Sequence, residues 1–244
     1  MATDEHASTL WQISAFDRLH QQTLRDPDRP TIVSSTLMAE IDALERRQDG
    51  NDALEVFAAC VRVQEPALVY LRFAELVWPV TLFPAQGVYH APRPLTEAPE
   101  SSLVRVSSMA IEPPAVRPPG QARGDRAAPD DSYYALAPAL WRLALFGPRG
   151  RLLNEIGGTA AYRVLRNPAL DDLPLPGALA PAVERLRREA ASLKQIAGWP
   201  GMSLERAARL LNALYLGANL MVSRSGAAAR PEPRKSLFGW LGGR

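Results

Sequence analysis

Residues 192–224, SLKQIAGWPGMSLERAARLLNALYLGANLMVSR, decide the architecture. Ser192 has a side-chain oxygen to offer the free amides of a first helical turn, so it caps a short helix over 193–197. Gly198 and Trp199-Pro200-Gly201 stop that helix, because Pro200 disfavours helical geometry at Trp199 and glycine permits a sharp reversal. Ser203 caps the next helix, and Glu205 sits in its first turn, where the helix dipole favours a carboxylate. Leu204, Ala207, Ala208, Leu211, Leu214, Tyr215 and Ala218 then follow the spacing of one buried stripe. Gly217 and Asn219 suit a helix end, and Leu220-Met221-Val222 is β-prone. Helix, tight turn, longer helix and strand together spell a helix-turn-helix followed by a wing strand.

The stretch resembles the second and third helices and first wing strand of the winged-helix superfamily. Ile196, Ala197, Leu204, Ala207, Leu211, Leu214 and Leu220 stand where that pattern has small or apolar core residues. The resemblance implies a recognition helix over 203–216, with Glu205, Arg206, Arg209, Asn212 and Leu216 on its solvent face. It also implies a wing at Val222 and Arg224. Two arginines and an asparagine suit phosphates or base edges. Glu205 repels phosphate, and an outward Leu216 suits a protein partner better. The Trp199-Pro200-Gly201 turn departs from the pattern by being stiffer and more apolar. The whole chain is similar to bacterial adaptor and regulator proteins that join a small α+β half to a winged-helix half.

Outward from this motif, 244 residues are enough for two modest domains. The expected fold class is α+β, with an N-terminal α+β domain over 1–112 and a Pro/Gly/Arg-rich linker or loop over 113–131. A mostly helical winged-helix-like domain follows over 132–224, and a basic tail with an apolar end over 225–244. In the first domain, apolar spacing predicts helices over 36–48, behind Ser34 or Ser35, and over 53–63. Alternation predicts strands between 67 and 84, over 87–90 and over 103–109. Pro79 cannot donate within a ladder and belongs at an edge or bulge. In the second domain, helices are expected over 133–145, 152–156 and 178–191, and a strand over 160–165.

Charge is unevenly spread. Residues 1–100 hold 8 Lys/Arg against 15 Asp/Glu, whereas the remaining 144 hold 20 against 11. Such a dipolar chain either orients on an anionic partner or docks its own halves. Nearly all the basic residues are arginine, as in proteins from GC-rich bacterial genomes. Cys60 is the only cysteine, which excludes an internal disulfide and suits a reducing cytoplasm. The acidic N-terminus lacks the form of a signal peptide, and no apolar run is long enough to cross a bilayer. Cytoplasmic residence is the expectation.

No catalytic constellation emerges. His6, His20 and His90 lack metal-ligand spacing, Cys60 lies among apolar helical neighbours, and Gly157-Gly158-Thr159 lacks the context of a phosphate loop. The expectation is a non-enzymatic protein without cofactor or metal. Its first function is an adaptor or regulator whose helix-turn-helix and tail bind protein. The alternatives are a DNA-binding regulator and a peripheral membrane protein held by the tail. In the tail, Lys235, Leu237, Phe238, Trp240 and Leu241 combine a basic and an apolar character suited to docking on a protein or a membrane.

Overall fold

The computed structural model describes residues 10–23, 33–119, 128–165 and 173–224. In chain order its elements are β1 (Trp11–Gln12), α1 (Ile13–Thr23), α2 (Ser35–Arg46), α3 (Ala53–Val63), β2 (Ala67–Phe73), β3 (Leu76–Phe83), β4 (Val88–His90), α4 (Glu100–Leu103) and β5 (Ser107–Glu112). There follow β6 (Tyr133–Ala135), α5 (Leu136–Phe146), β7 (Ala161–Val164), α6 (Leu179–Arg188), β8 (Ala191–Ser192), α7 (Leu193–Ala197), α8 (Leu204–Leu216) and β9 (Leu220–Ser223). Helices and antiparallel sheets are thus both present, as an α+β reading requires. The tail residues Lys235, Leu237, Phe238, Trp240 and Leu241 lie outside the described residues.

The larger sheet has the order β5-β2-β3-β4-β6, with β1 added beside β3. Its centre is the β2–β3 hairpin, closed by the two-residue turn Ala74-Glu75 with Ala74 at φ 56. Along β2, Val69 and Leu71 join the main core, whereas Leu68 and Tyr70 face a smaller cluster with Phe16 and Val77 under α1. Both faces of the strand are covered, which explains its unbroken apolar run.

Pro79 sits within this sheet without losing a ladder bond. Phe73 and Leu76 close the hairpin, so Tyr70 and Pro79 form a pair whose backbone groups point away from each other. On the outer side of β3, Leu76 and Val77 pair with β1, and Thr81 to Phe83 pair with β4. Pro79 falls in the gap between these two short neighbours, where no partner asks for its missing N–H.

Several expectations need correction. Residues 103–106 end a helical turn, with the Val106 N–H bonded to Leu103 O, and the strand begins only at Ser107. Tyr133–Ala135 is not helical; it pairs with β4 and belongs to the sheet of the first half. Residues 152–156 form a turn rather than a helix, because their polar groups are spent on partners far away in sequence. The smaller sheet has the order β8-β7-β9. One core, running from Val33 to Leu216, includes side chains of both halves.

Candidate interaction site

The helices expected over 193–197 and 203–216 form as α7 and α8, with the expected serine caps. Ser192 and Gln195 form a reciprocal capping box at the start of α7. Ser203 caps α8 by accepting from the Arg206 N–H at 3.1 Å. In the turn between them Gly201 takes φ 73, and a Cβ there would stand 2.8 Å from Ala178 Cβ, so only glycine fits. Trp199 is half-buried beneath the Arg185 guanidinium, 4.5 Å from its ring centroid.

The proposed solvent face of α8 is mostly not a surface. Asn212 is fully buried: its Oδ1 accepts from the Leu153 N–H at 2.9 Å, and its Nδ2 donates to Arg151 O at 2.9 Å. Leu216 is buried as well, at 8% exposure. The physical reason is that α8 is packed by α5 and also covered by the 149–156 segment. From Leu210 to Leu216 all but Tyr215 are buried. A signal for this was present, since no charged residue follows Arg209 in the helix, and a helix apolar all round is a core helix. Leu204, assigned to the buried stripe, is instead 60% exposed.

Only the first turns of α8 face solvent. Glu205 is exposed and pairs with Arg209 at 2.9 Å. Arg209 also donates to Leu145 O at 3.0 Å, tying α8 to the carbonyl end of α5. Arg206 is exposed and donates to Gly201 O at 2.8 Å. The wing assignment changes too. The partner of β9 is β7, which precedes it in the chain, and Val222 packs its side chain against the core. Arg224 is exposed and donates to Glu155 O at 2.5 Å.

A second polar cluster joins the two halves and was not singled out from sequence. Asp52 caps α3 through Oδ1, which accepts from Leu54 N at 3.0 Å and Glu55 N at 3.3 Å, while Oδ2 receives Arg149 at 2.5 Å. Arg149, its side chain 1% exposed, also reaches Glu55 at 2.6 Å and Leu152 O at 2.6 Å. Glu55 further accepts from the Asn154 N–H at 2.8 Å. Asp49 takes Arg151 and the Asn154 side chain. Burial pushes the Glu55 carboxyl above its ordinary value, against the opposing pull of the Asn154 N–H and Arg149. The acidic α2–α3 connection and the basic segment after α5 therefore dock on each other, which is where part of the charge asymmetry goes. A cleft of about 540 Å³ opens beside this clamp, lined by Asn51, Arg105, Ser107 and Arg151 among others.

Remaining reactive groups are structurally employed. Cys60 is buried on α3, and desolvation lifts its thiol pKa to about 12. His90 is buried on β4, and burial lowers its pKa. His20 Nδ1 lies 3.1 Å from Glu112, which also accepts from the Tyr70 hydroxyl at 2.9 Å. Among the described residues, no helix is long and apolar enough to cross a membrane. The chain matches no family model, no curated protein and no solved structure.

Proposed function

We propose that this chain is a non-enzymatic cytoplasmic adaptor or regulator that contacts a protein partner through the tip of its helix-turn-helix. One observation carries the reading. At the start of α8, Leu204 is 60% exposed, while the cations that would meet phosphate are already engaged. Arg209 serves Glu205 and Leu145 O, and Arg206 serves Gly201 O. An apolar side chain presented on a capped, rigid helix start is a low-entropy anchor for a protein surface. The half-buried Trp199 and Met202 lie in the preceding turn and extend the apolar character of the tip. The inert Cys60 and the absence of any other cysteine accord with a reducing compartment.

The test is a photoreactive amino acid introduced at position 204 and irradiated in the source cells. The reading expects a discrete protein adduct that is absent when the probe sits at exposed Lys194. Crosslinks to nucleic acid, or none at all, count against it.

A further inference from the structure

We infer that the outer edge of β9 is a docking site for an extended, acidic segment of a partner protein, which adds as a fourth strand to the β8-β7-β9 sheet. Leu165 N donates to Asn219 O at 2.8 Å, and Arg163 pairs with Met221. Hydrogen-bonded pairs alternate along an antiparallel ladder, so the backbone groups of Met221 and Ser223 face β7. Those of Leu220 and Val222 therefore face away from the sheet. Among the described residues no hydrogen bond reaches their outward N–H and C=O groups. Two donors and two acceptors stand in a row with the spacing of a strand.

Edges of this kind are ordinarily blunted by a charge, a proline or a bulge within the strand. The strand Leu220-Met221-Val222-Ser223 contains none of these, and its pairing with β7 is regular. Its solvent face carries two exposed apolar side chains, Met221 at 51% and Leu165 at 37%. An unguarded, apolar edge is a template for strand addition, in which main-chain bonds give affinity and side chains give selectivity. The selectivity here is set by charge. Arg163 projects on the same face as Met221, is exposed, and has no ion-pair or hydrogen-bond partner among the described residues. Arg224, just past the strand, is held by its bond to Glu155 O, so Arg163 is the cation left to a partner here, and no acidic side chain stands on β7, β8 or β9. Arg163 facing its own copy would also disfavour an edge-to-edge pairing of two chains, so the occupant is a carboxylate-bearing strand rather than a second β9.

The probe is a capped heptapeptide alternating valine with glutamate, threonine at each end, with its lysine counterpart as control. Binding to the full-length, nitrogen-15-labelled protein is read from amide shifts and hydrogen exchange. In the free protein the Leu220 and Val222 amides are expected to exchange fast and those of Met221 and Ser223 slowly. The glutamate peptide is expected to slow Leu220 and Val222, and the lysine peptide to leave them unchanged. Val222→Pro removes an outward donor without touching the β7 ladder and should weaken binding roughly 2- to 10-fold, the worth of one hydrogen bond. Arg163→Glu, at an exposed position, should reverse the preference between the two peptides even if the proline variant fails to fold. Unchanged exchange at Leu220 and Val222, or equal binding of both peptides, overturns the inference. Leu204→Glu leaves this binding intact, which separates the edge from the helix-turn-helix tip.

Discussion

Replacing Asn212 with alanine should destabilise the fold, because α8 buries this side chain against the 149–156 segment. The side chain supplies the Leu153 N–H and the Arg151 carbonyl with their partners, each at 2.9 Å, from a position with no exposure. Leaving the buried Leu153 donor unpaired costs about 1–3 kcal/mol, and the partly wetted Arg151 carbonyl adds roughly 0.5–1.5 kcal/mol. The expected loss is therefore about 2–4 kcal/mol, a large share of an ordinary domain's stability. Urea unfolding followed by tryptophan emission reports it, since Trp141 is 2% exposed. With a slope of about 2 kcal/mol/M the midpoint falls by roughly 1–2 M. Arg206→Ala, at an exposed position on the same helix, should stay within about 0.5 kcal/mol. A solvent-facing Asn212 would make the two variants alike; a loss below about 1 kcal/mol for Asn212→Ala refutes the packing argument.

Other parts of the structure carry their own tests. Arg149→Met strands Asp52 and Glu55 without their shared cation and should cost about 3–5 kcal/mol in the same unfolding assay; a neutral result would mean that the clamp between the halves is dispensable. The Glu55 carboxyl titrates above 4.5 in the folded protein, so between that value and its folded pKa the native state holds more protons than the unfolded chain. Stability of the wild type relative to Glu55→Gln should accordingly fall as pH rises through that window, and a rise instead would reverse the assignment. A thiol reagent at pH 8 should leave Cys60 unmodified until denaturant is added, because the thiolate is disfavoured up to about pH 12. Pro79→Val should change stability by less than about 0.5 kcal/mol, since the position faces a gap between β1 and β4.

Local signals were legible in the chain wherever a residue acts on its own neighbourhood. Ser34, Ser192 and Ser203 cap their helices, and Ala53–Val63 is helical over the expected residues. What sequence spacing could not supply was which face of α8 meets another element. The stripe Leu204, Ala207, Leu211 fits one buried face, yet the 149–156 segment covers a second, so Asn212 and Leu216 turned inward and Leu204 outward. That segment is unremarkable as a string. Its Arg149, Arg151 and Asn154 acquire meaning only when folding brings them to Asp49, Asp52 and Glu55. Likewise β6 reads as the start of a helix because Tyr133 and Tyr134 continue its apolar run, and only β4 draws them into the sheet. The strand order β8-β7-β9 is equally non-local, and with it the outer edge of β9, which is unpaired among the described residues.

The central claim is that the helix-turn-helix is a protein-contact device. Fluorescence anisotropy of labelled random duplex DNA, titrated with the full-length protein across a salt series, tests it most directly. The account predicts no binding at micromolar protein even at low salt. Binding that falls steeply with salt and disappears in the Arg206→Ala/Arg209→Ala double variant would contradict it and make the start of α8 a nucleic-acid surface.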